Sequence, residues 1–468
     1  MKKRMYKIMA LAMTAAMVVP MAAQTTAFAA DDKEITYWNI AVESPDKDIV
    51  TAAVDKFNKE TKSGYTVNQV AIQNDTYKEK LVIAMSSGEC PDMYSSWSGG
   101  PMYEYIDSGF AQPIDDLLDQ SDIKDKLLDA AIEQGSYNGH VYAIPYLNVS
   151  LAGIFYNKDM FKQYGLEEPK TLADLENICA TLKENGITPF ALANASKWTG
   201  SMYFMSLAAR YGGLEPFQNA VAGTGKFTDD CFIKAGEKIQ EWVKNGYFPD
   251  GVNSLSEDDG QAKQLMYQET AGMLLCGSWY TGTFQTDSEE FYQKIGWFPF
   301  PAIDDSDADP TIQIGTVGDQ FISFNCEGDK LAAAFECAAD HLSDEVEDMI
   351  YSTGKIAPVK DAGDHISDPV VKEIFDAAQE ASSIQLWYDQ YLPTSVATAH
   401  LDGLQEVFGL TKTPQEAQEE MQTAMDEYLS TKSDSGAADD TAEEATDDAA
   451  ADDTAEEATD DAAADDAE

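Results

Sequence analysis

From Glu34 to Gly100 the chain switches repeatedly between two periodicities, and that alternation limits its fold more than any other feature. Glu34 to Trp38 is a short β-type run, and Asp48 to Lys59 then places Val50, Val54 and Phe57 on one helical face. Tyr65 to Val70 reads as a second strand. Asp75 to Ser87 reads as a helix with Leu81, Ile83 and Met85 apolar, and Asp92 to Ser95 as a brief strand before the turn at Gly99-Gly100. Strands that alternate with helices form a parallel or mixed sheet with helices on both faces. The pattern continues with helices at Leu172–Glu184, Asp230–Asn245, Lys330–His341, Asp368–Glu380 and Thr413–Ser430. Further strands fall at Val141–Ala143, Gly153–Tyr156, Gly272–Leu275, Lys294–Phe298 and Gln320–Phe324. The body is α/β, and a chain of 468 residues is long enough for two domains.

The two ends stand apart from this body. Lys2, Lys3, Arg4 and Lys7 precede an apolar run from Ile8 to Val19, and Ala27-Phe28-Ala29 supplies a small-x-small cleavage pattern. Residues 1–29 therefore read as a secretory signal peptide, the apolar run being too short to span a bilayer. At the other end, Asp439 to Ala451 (DDTAEEATDDAAA) recurs verbatim as Asp452 to Ala464. With nothing apolar larger than Ala, such a repeat cannot offset its ordering entropy, so 433–468 is expected to be a disordered acidic tail.

Charge narrows the partners. The sequence carries 83 acidic and 31 basic side chains, a formal net charge of −52, and the body stays acidic without either end. A polyanion of this kind repels phosphate backbones and anionic membrane surfaces, which argues against nucleic acid and lipid and for a neutral or cationic ligand. The six cysteines lie far apart with no CxxC, Cys326 and Cys337 being the nearest pair, and buried thiols are the simpler expectation. The first is Cys90, so no lipid-anchor cysteine follows the signal.

Motifs of catalysis and metal binding are missing. His140, His341, His365 and His400 are widely spaced, and there is no GxSxG, Walker A or GxGxxG. Asp305, Asp307 and Asp309 imitate the start of a calcium loop, but Pro310 stands where such a loop needs Gly. No catalytic residue, metal or cofactor is assigned. Carboxylates for glycoside hydrolysis are available everywhere, and abundance does not single out a pair.

The tryptophans carry more information. Of seven, five fall in expected loops or strand ends: Trp38, Trp97, Trp198, Trp279 and Trp387. A flat indole packs against the C–H face of a sugar ring, while nearby carboxylates and amides bond its hydroxyls, as ligand pockets combine aromatic walls with a few polar groups. Asn39 and Glu43 follow Trp38, Ser98 follows Trp97, Lys197 precedes Trp198, and Tyr388 and Asp389 follow Trp387. Trp242, within a helix, and Trp297, within an apolar strand, are assigned to the core.

The stretch YNGHVYAIPYLNVSLAGIFYNKD (Tyr137–Asp159) resembles extracellular solute-binding proteins of sugar ABC transporters, the maltose-binding type. Further matches follow in order: Pro91-Asp92 then Trp97, MYQETAGMLLCGSWY (Met266–Tyr280), IGWFPFPAID after Lys294, and KIAPVK (Lys355–Lys360). The resemblance covers roughly 34–430. It implies a two-lobed periplasmic-binding fold of type II, each lobe a mixed sheet flanked by helices, closing over a saccharide. The N-lobe would hold 30–147 plus 320–358 and the C-lobe 150–315 plus 360–430. Crossings would lie near Leu147–Ala152, near Gly315–Gln320 and after Pro358.

By the same resemblance, Trp38, Trp97, Trp198, Trp279 and Trp387 fall at or beside cleft positions, with Asn39, Glu43, Ser98, Asp319, Tyr388 and Asp389 as polar contacts. Ser150 stands where maltose binders place an acid. The implied protein is a secreted monomer, extracellular at the cell envelope or periplasmic, that binds a neutral oligosaccharide and passes it to ABC transporter permease subunits. It is not an enzyme. The alternatives are a binder of a polyamine or peptide, and a secreted glycoside hydrolase.

Overall fold

The computed structural model describes residues 33–444; the expected signal peptide lies outside them. Each strand forms where the sequence alternates or runs apolar. In β1 (Glu34–Asn39) Ile35, Tyr37 and Asn39 are buried and the residues between them are not, the signature of a half-covered strand. The helix that follows, Asp46–Glu60, buries Ile49, Val50, Ala53, Val54 and Phe57, with Asp46 and Asp48 at its positive end and Lys59 at its negative end.

One sheet takes β1, β2 (Thr66–Ala71), β3 (Met93–Ser96) and, after the two-stranded hairpin β4 (Ser136–Tyr137) and β5 (His140–Val141), β6 (Ala143–Tyr146). The second takes β7 (Ser150–Asn157), β8 (Thr188–Phe190), β9 (Ala271–Gly277), β10 (Ile295–Pro299) and β11 (Gln313–Thr316). The chain then returns to the first sheet with β12 (Gln320–Phe324) and to the second with β13 (Ile384–Gln385). The first sheet has the order β2-β1-β3-β12-β6, in which β1 pairs in parallel with β2 and β3, and β12 lies antiparallel to β3 and β6. The second runs β13-β11-β7-β9-β8, with β10 also on β7. Strands β7 and β9 are buried along their whole length, because helices cover both faces of this sheet. The fold is α/β with two domains, each a mixed sheet flanked by helices, as the alternation implied.

Two short connections join the sheets. Leu147–Val149 links β6 to β7, and Val317–Asp319 links β11 to β12. A third segment runs beside the first: Val149 N donates to Ile356 O (2.6 Å), and Asn148 Oδ1 accepts from Ile356 N (2.8 Å). Leu147 sits here with φ +72°, a left-handed conformation unusual for a leucine, and it is fully buried.

The structure departs from sequence expectation in two places. Trp198–Gly212 is a helix, where Trp198 was expected in a loop; Thr199 to Arg210 are all buried, so no polar face marks it as helical. Arg210, inside it, donates to Phe300 O and Ile312 O and so ties down both ends of the 300–312 loop. Asp309, from the calcium-like run, turns its carboxylate onto Thr311 N (2.8 Å) and Thr311 Oγ1 (2.7 Å). The last helix runs Pro414–Glu444, past residue 433 where disorder was expected. Seven of the twelve residues from 433 to 444 are Ser, Asp, Gly or Thr, so the extension follows from continuity with the packed helix before it and not from propensity. The remainder of the tail lies outside the described residues. All six cysteines are free thiols, five of them buried, and Trp242 and Trp297 are core residues.

Candidate functional site

A slot opens between the two sheets, and its walls come from loops at the ends of strands. On one side stands Trp97, just after β3; on the other stand Trp198, Trp279 and Trp387. The three form one run of indoles. The Trp198 and Trp279 centroids lie 6.0 Å apart, tilted by 58°, and those of Trp279 and Trp387 lie 5.9 Å apart at 69°. Trp279 folds back over its own strand: a Cβ at Gly277 would stand 2.0 Å from the indole Cζ3, so the turn after β9 needs glycine there. Trp387 is 2% exposed and backs the wall, while Trp198 and Trp279 are only partly buried. The Trp198 Nε1–H is shielded from solvent and has no protein acceptor. Across the slot Trp97 packs on Tyr77 (6.0 Å, 75°), with Lys78 Nζ 5.0 Å above its ring.

The floor is charged. Lys355, its side chain 1% exposed, ion-pairs with Asp46 at 2.5 Å. Asp319, in the second crossing, is pushed up to about 7 by burial, against the pull of Lys355 and with the help of Asp46. Beyond Trp198 and Trp279 the slot continues over Glu257, Asp258 and Lys263. Burial also pushes the Glu257 carboxyl up to about 7, although the Tyr280 hydroxyl donates to it. Such a site offers ring-sized apolar faces in the middle and hydrogen-bonding groups around them. Among the described residues no group of three His, Cys, Asp or Glu stands close enough to hold a metal ion.

Contacts bridge the two sides directly. Lys78 Nζ lies 3.4 Å from Asp389, Lys263 Nζ lies 3.5 Å from Glu43, and Asp75 N donates to Asp258 Oδ2 at 3.1 Å. Thr394 N and Oγ1 donate to Glu104 at 3.0 and 2.6 Å. The halves are therefore together, not splayed.

Of the residues named from sequence, Trp97, Trp198, Trp279, Asp319, Trp387 and Asp389 line the slot, and Glu43 sits at its outer end. Four do not line it. Trp38 alternates to the other face of β1 and packs with Tyr77, Leu81 and Tyr94. Asn39 is buried and bonds Ala41 N, and Ser98 is buried with no protein partner for its hydroxyl. Tyr388 points into the core and stacks on Phe217 at 4.2 Å. The period-2 and turn geometry sends neighbouring side chains in opposite directions, so adjacency to a cleft tryptophan was a poor guide. Sequence reasoning missed Asp46, Asn74, Lys78, Met202, Glu257, Asp258 and Lys355. Only Lys355 lay within a quoted motif; the others are ordinary helix or loop residues that tertiary contact brings to the slot.

Comparison with known proteins gives the same architecture a context. A profile described as bacterial extracellular solute-binding protein matches residues 41–339. An uncharacterized ABC transporter extracellular-binding protein of Pyrococcus horikoshii is 32% identical over 228 residues, 48% of this chain and 50% of that one. A multiple sugar-binding protein of Streptococcus mutans is 31% identical over 178 residues, 35% of this chain and 39% of that one. The chain thus spans half or less of the length of these curated relatives. A solved structure from work on xylan utilization by Caldanaerobius polysaccharolyticus superposes with a TM-score of 0.76 at 29% identity, covering 83% of this chain and 99% of that one. No described helix is long and apolar enough to cross a membrane.

Proposed function

The chain belongs to the bacterial extracellular solute-binding protein family, and we propose that it is the secreted substrate-binding component of a carbohydrate ABC importer, capturing a neutral oligosaccharide between its lobes and delivering it to a membrane permease. The lobes in this reading are 30–147 plus 320–358 and 150–315 plus 360–430. The observation that carries it is the run of three indoles, Trp198, Trp279 and Trp387, facing Trp97 across a slot between two domains. Stacking faces reward the C–H surfaces of sugar rings, and Asp46, Asp319, Asp389 and Glu257 accept from hydroxyls. A ligand held by both lobes stabilises their closed arrangement by its differential affinity for it, which is what a permease would sense.

The acidic lining favours a second reading, a polyamine. Against it, Asp46, Asp389 and Glu43 are already paired with Lys355, Lys78 and Lys263, and burial raises the Asp319 and Glu257 carboxyls to about 7 and that of Asp258 above its ordinary value, so little full negative charge remains for a polycation. Binding without turnover is the activity assigned. The test is a tryptophan-fluorescence titration with malto-, xylo-, manno- and chito-oligosaccharides beside spermidine, followed by chromatography of the sugars. We expect saturable quenching by one sugar series and intact sugar afterwards. A response to spermidine alone, or cleaved sugar, would replace the proposal.

A further inference from the structure

The slot is not symmetric along its length. Its first chamber is walled by the tryptophans. It continues past Ile40, Asp46, Trp198 and Trp279 into a second chamber over Glu257 and Asp258.

The two ends differ in kind. At the tryptophan end, Lys78 and Asp389 meet across the slot at 3.4 Å. Behind them the backbones of the two lobes touch. A Cβ at Gly99 would lie 2.4 Å from Gln390 O, and one at Gly100 would lie 2.2 Å from Leu392 O. Gly99 also has φ +109°, so glycine is required there twice over. Main chain abuts main chain behind this end, and Thr394 on Glu104 fastens the same contact from outside. At the far end the bridge is one of side chains, Lys263 on Glu43 at 3.5 Å, and the second chamber runs beside it past Val42 and Ser44 into a wide void bounded by the exposed Lys47, Asp259 and Asp287. Glu43 keeps 66% of its side chain in solvent there.

From this geometry we infer that the protein takes its saccharide end-on: one terminus of the chain stops against the Gly99-Gly100 contact, and the other leaves past Glu43 and Lys263. The inference rests on the proposed function and deepens it. It makes the ligand a linear glycan with one free end, and it sets no maximum length. The end that enters has its rings among the indoles; units beyond the mouth are solvated and add nothing to affinity.

Isothermal titration calorimetry on the full mature chain reads this directly, using the malto-, xylo-, manno- and chito-oligosaccharide series. For the series that binds, the same titration is repeated with chains several times longer than the slot. Affinity should rise from one unit upward, level off, and stay within about twofold for the long chains, with one protein bound per chain whatever the length. Several proteins per long chain would mean that internal segments bind and both ends are open. Loss of binding by long chains, while short ones bind, would mean that both ends are closed. Either result overturns end-on capture but leaves sugar binding standing. Failure of every series would sink the function proposal and this inference with it.

Discussion

Asp258 and Asp75 belong to opposite lobes, yet Asp258 Oδ2 accepts the Asp75 backbone N–H at 3.1 Å. Asp75 lies in the first turn of the helix Asn74–Ser87, whose own preceding residue, Gln73, provides no side-chain cap. One lobe thus supplies the missing cap of a helix in the other. An orphan N–H satisfied by a carboxylate at a helix start contributes on the order of 1 kcal/mol. Opening of the slot separates the pair, so that energy belongs to the closed state alone.

Asp258→Ala should therefore weaken sugar binding by about fivefold, the effect of roughly 1 kcal/mol on the open–closed balance. Isothermal titration calorimetry checks it. Equal affinities for variant and parent would show that the cap does not hold the lobes together.

Trp279 touches both Trp198 and Trp387, so removing it breaks the aromatic wall at its centre. A stacking aromatic at the middle of a binding surface contributes on the order of 2 kcal/mol. Trp279→Ala should lose roughly 30-fold in sugar affinity while keeping its circular dichroism spectrum. An unchanged dissociation constant would remove this ring from the site.

Lys355 and Asp46 form a pair whose lysine is almost wholly buried. Lys355→Met leaves Asp46 and Asp319 facing each other without their common cation. Breaking a buried pair from one side costs about 3 kcal/mol, and chemical denaturation should show a loss of that order. Replacing Asp46 by Asn in the same variant should recover part of it. No recovery would mean that the loss is one of packing.

Glu257 gives a pH signature with a definite sign. Burial raises its carboxyl to about 7, with Asp258 and Asp75 adding to the rise and Tyr280 and Lys263 opposing it. In the unfolded chain it titrates near 4.3. Between these values the folded state holds more protons, so this group's contribution to stability is full below about 4.3 and is lost as pH rises through 7. Glu257→Gln, which mimics the protonated form, should match the parent near pH 4.5 and melt higher at pH 8. Parallel melting profiles across that range would refute the assignment.

The sequence by itself determined the local elements. The strand Gln320–Phe324 and the helix Leu172–Glu184 lie where periodicity placed them, because alternation and the 3.6-residue stripe are read directly from side-chain burial. Four of the five tryptophans it placed in loops or strand ends, Trp97, Trp198, Trp279 and Trp387, line the slot, while Asp319 came from the resemblance to the sugar-binding family and not from standing out among so many acids. Where periodicity is erased, it was silent: Trp198–Gly212 is buried on every side and carries no stripe.

Only the tertiary structure decided which neighbours share the slot. Trp387 lines it, yet Tyr388, one residue on, faces the core, because one step along the backbone reverses the side chain. Nor could one dimension pair Lys78 with Asp389 or Asp75 with Asp258, residues about two hundred or more positions apart. Those contacts depend on the angle between two lobes, and that angle is set by three segments of backbone lying side by side, one of them with a leucine at φ +72°.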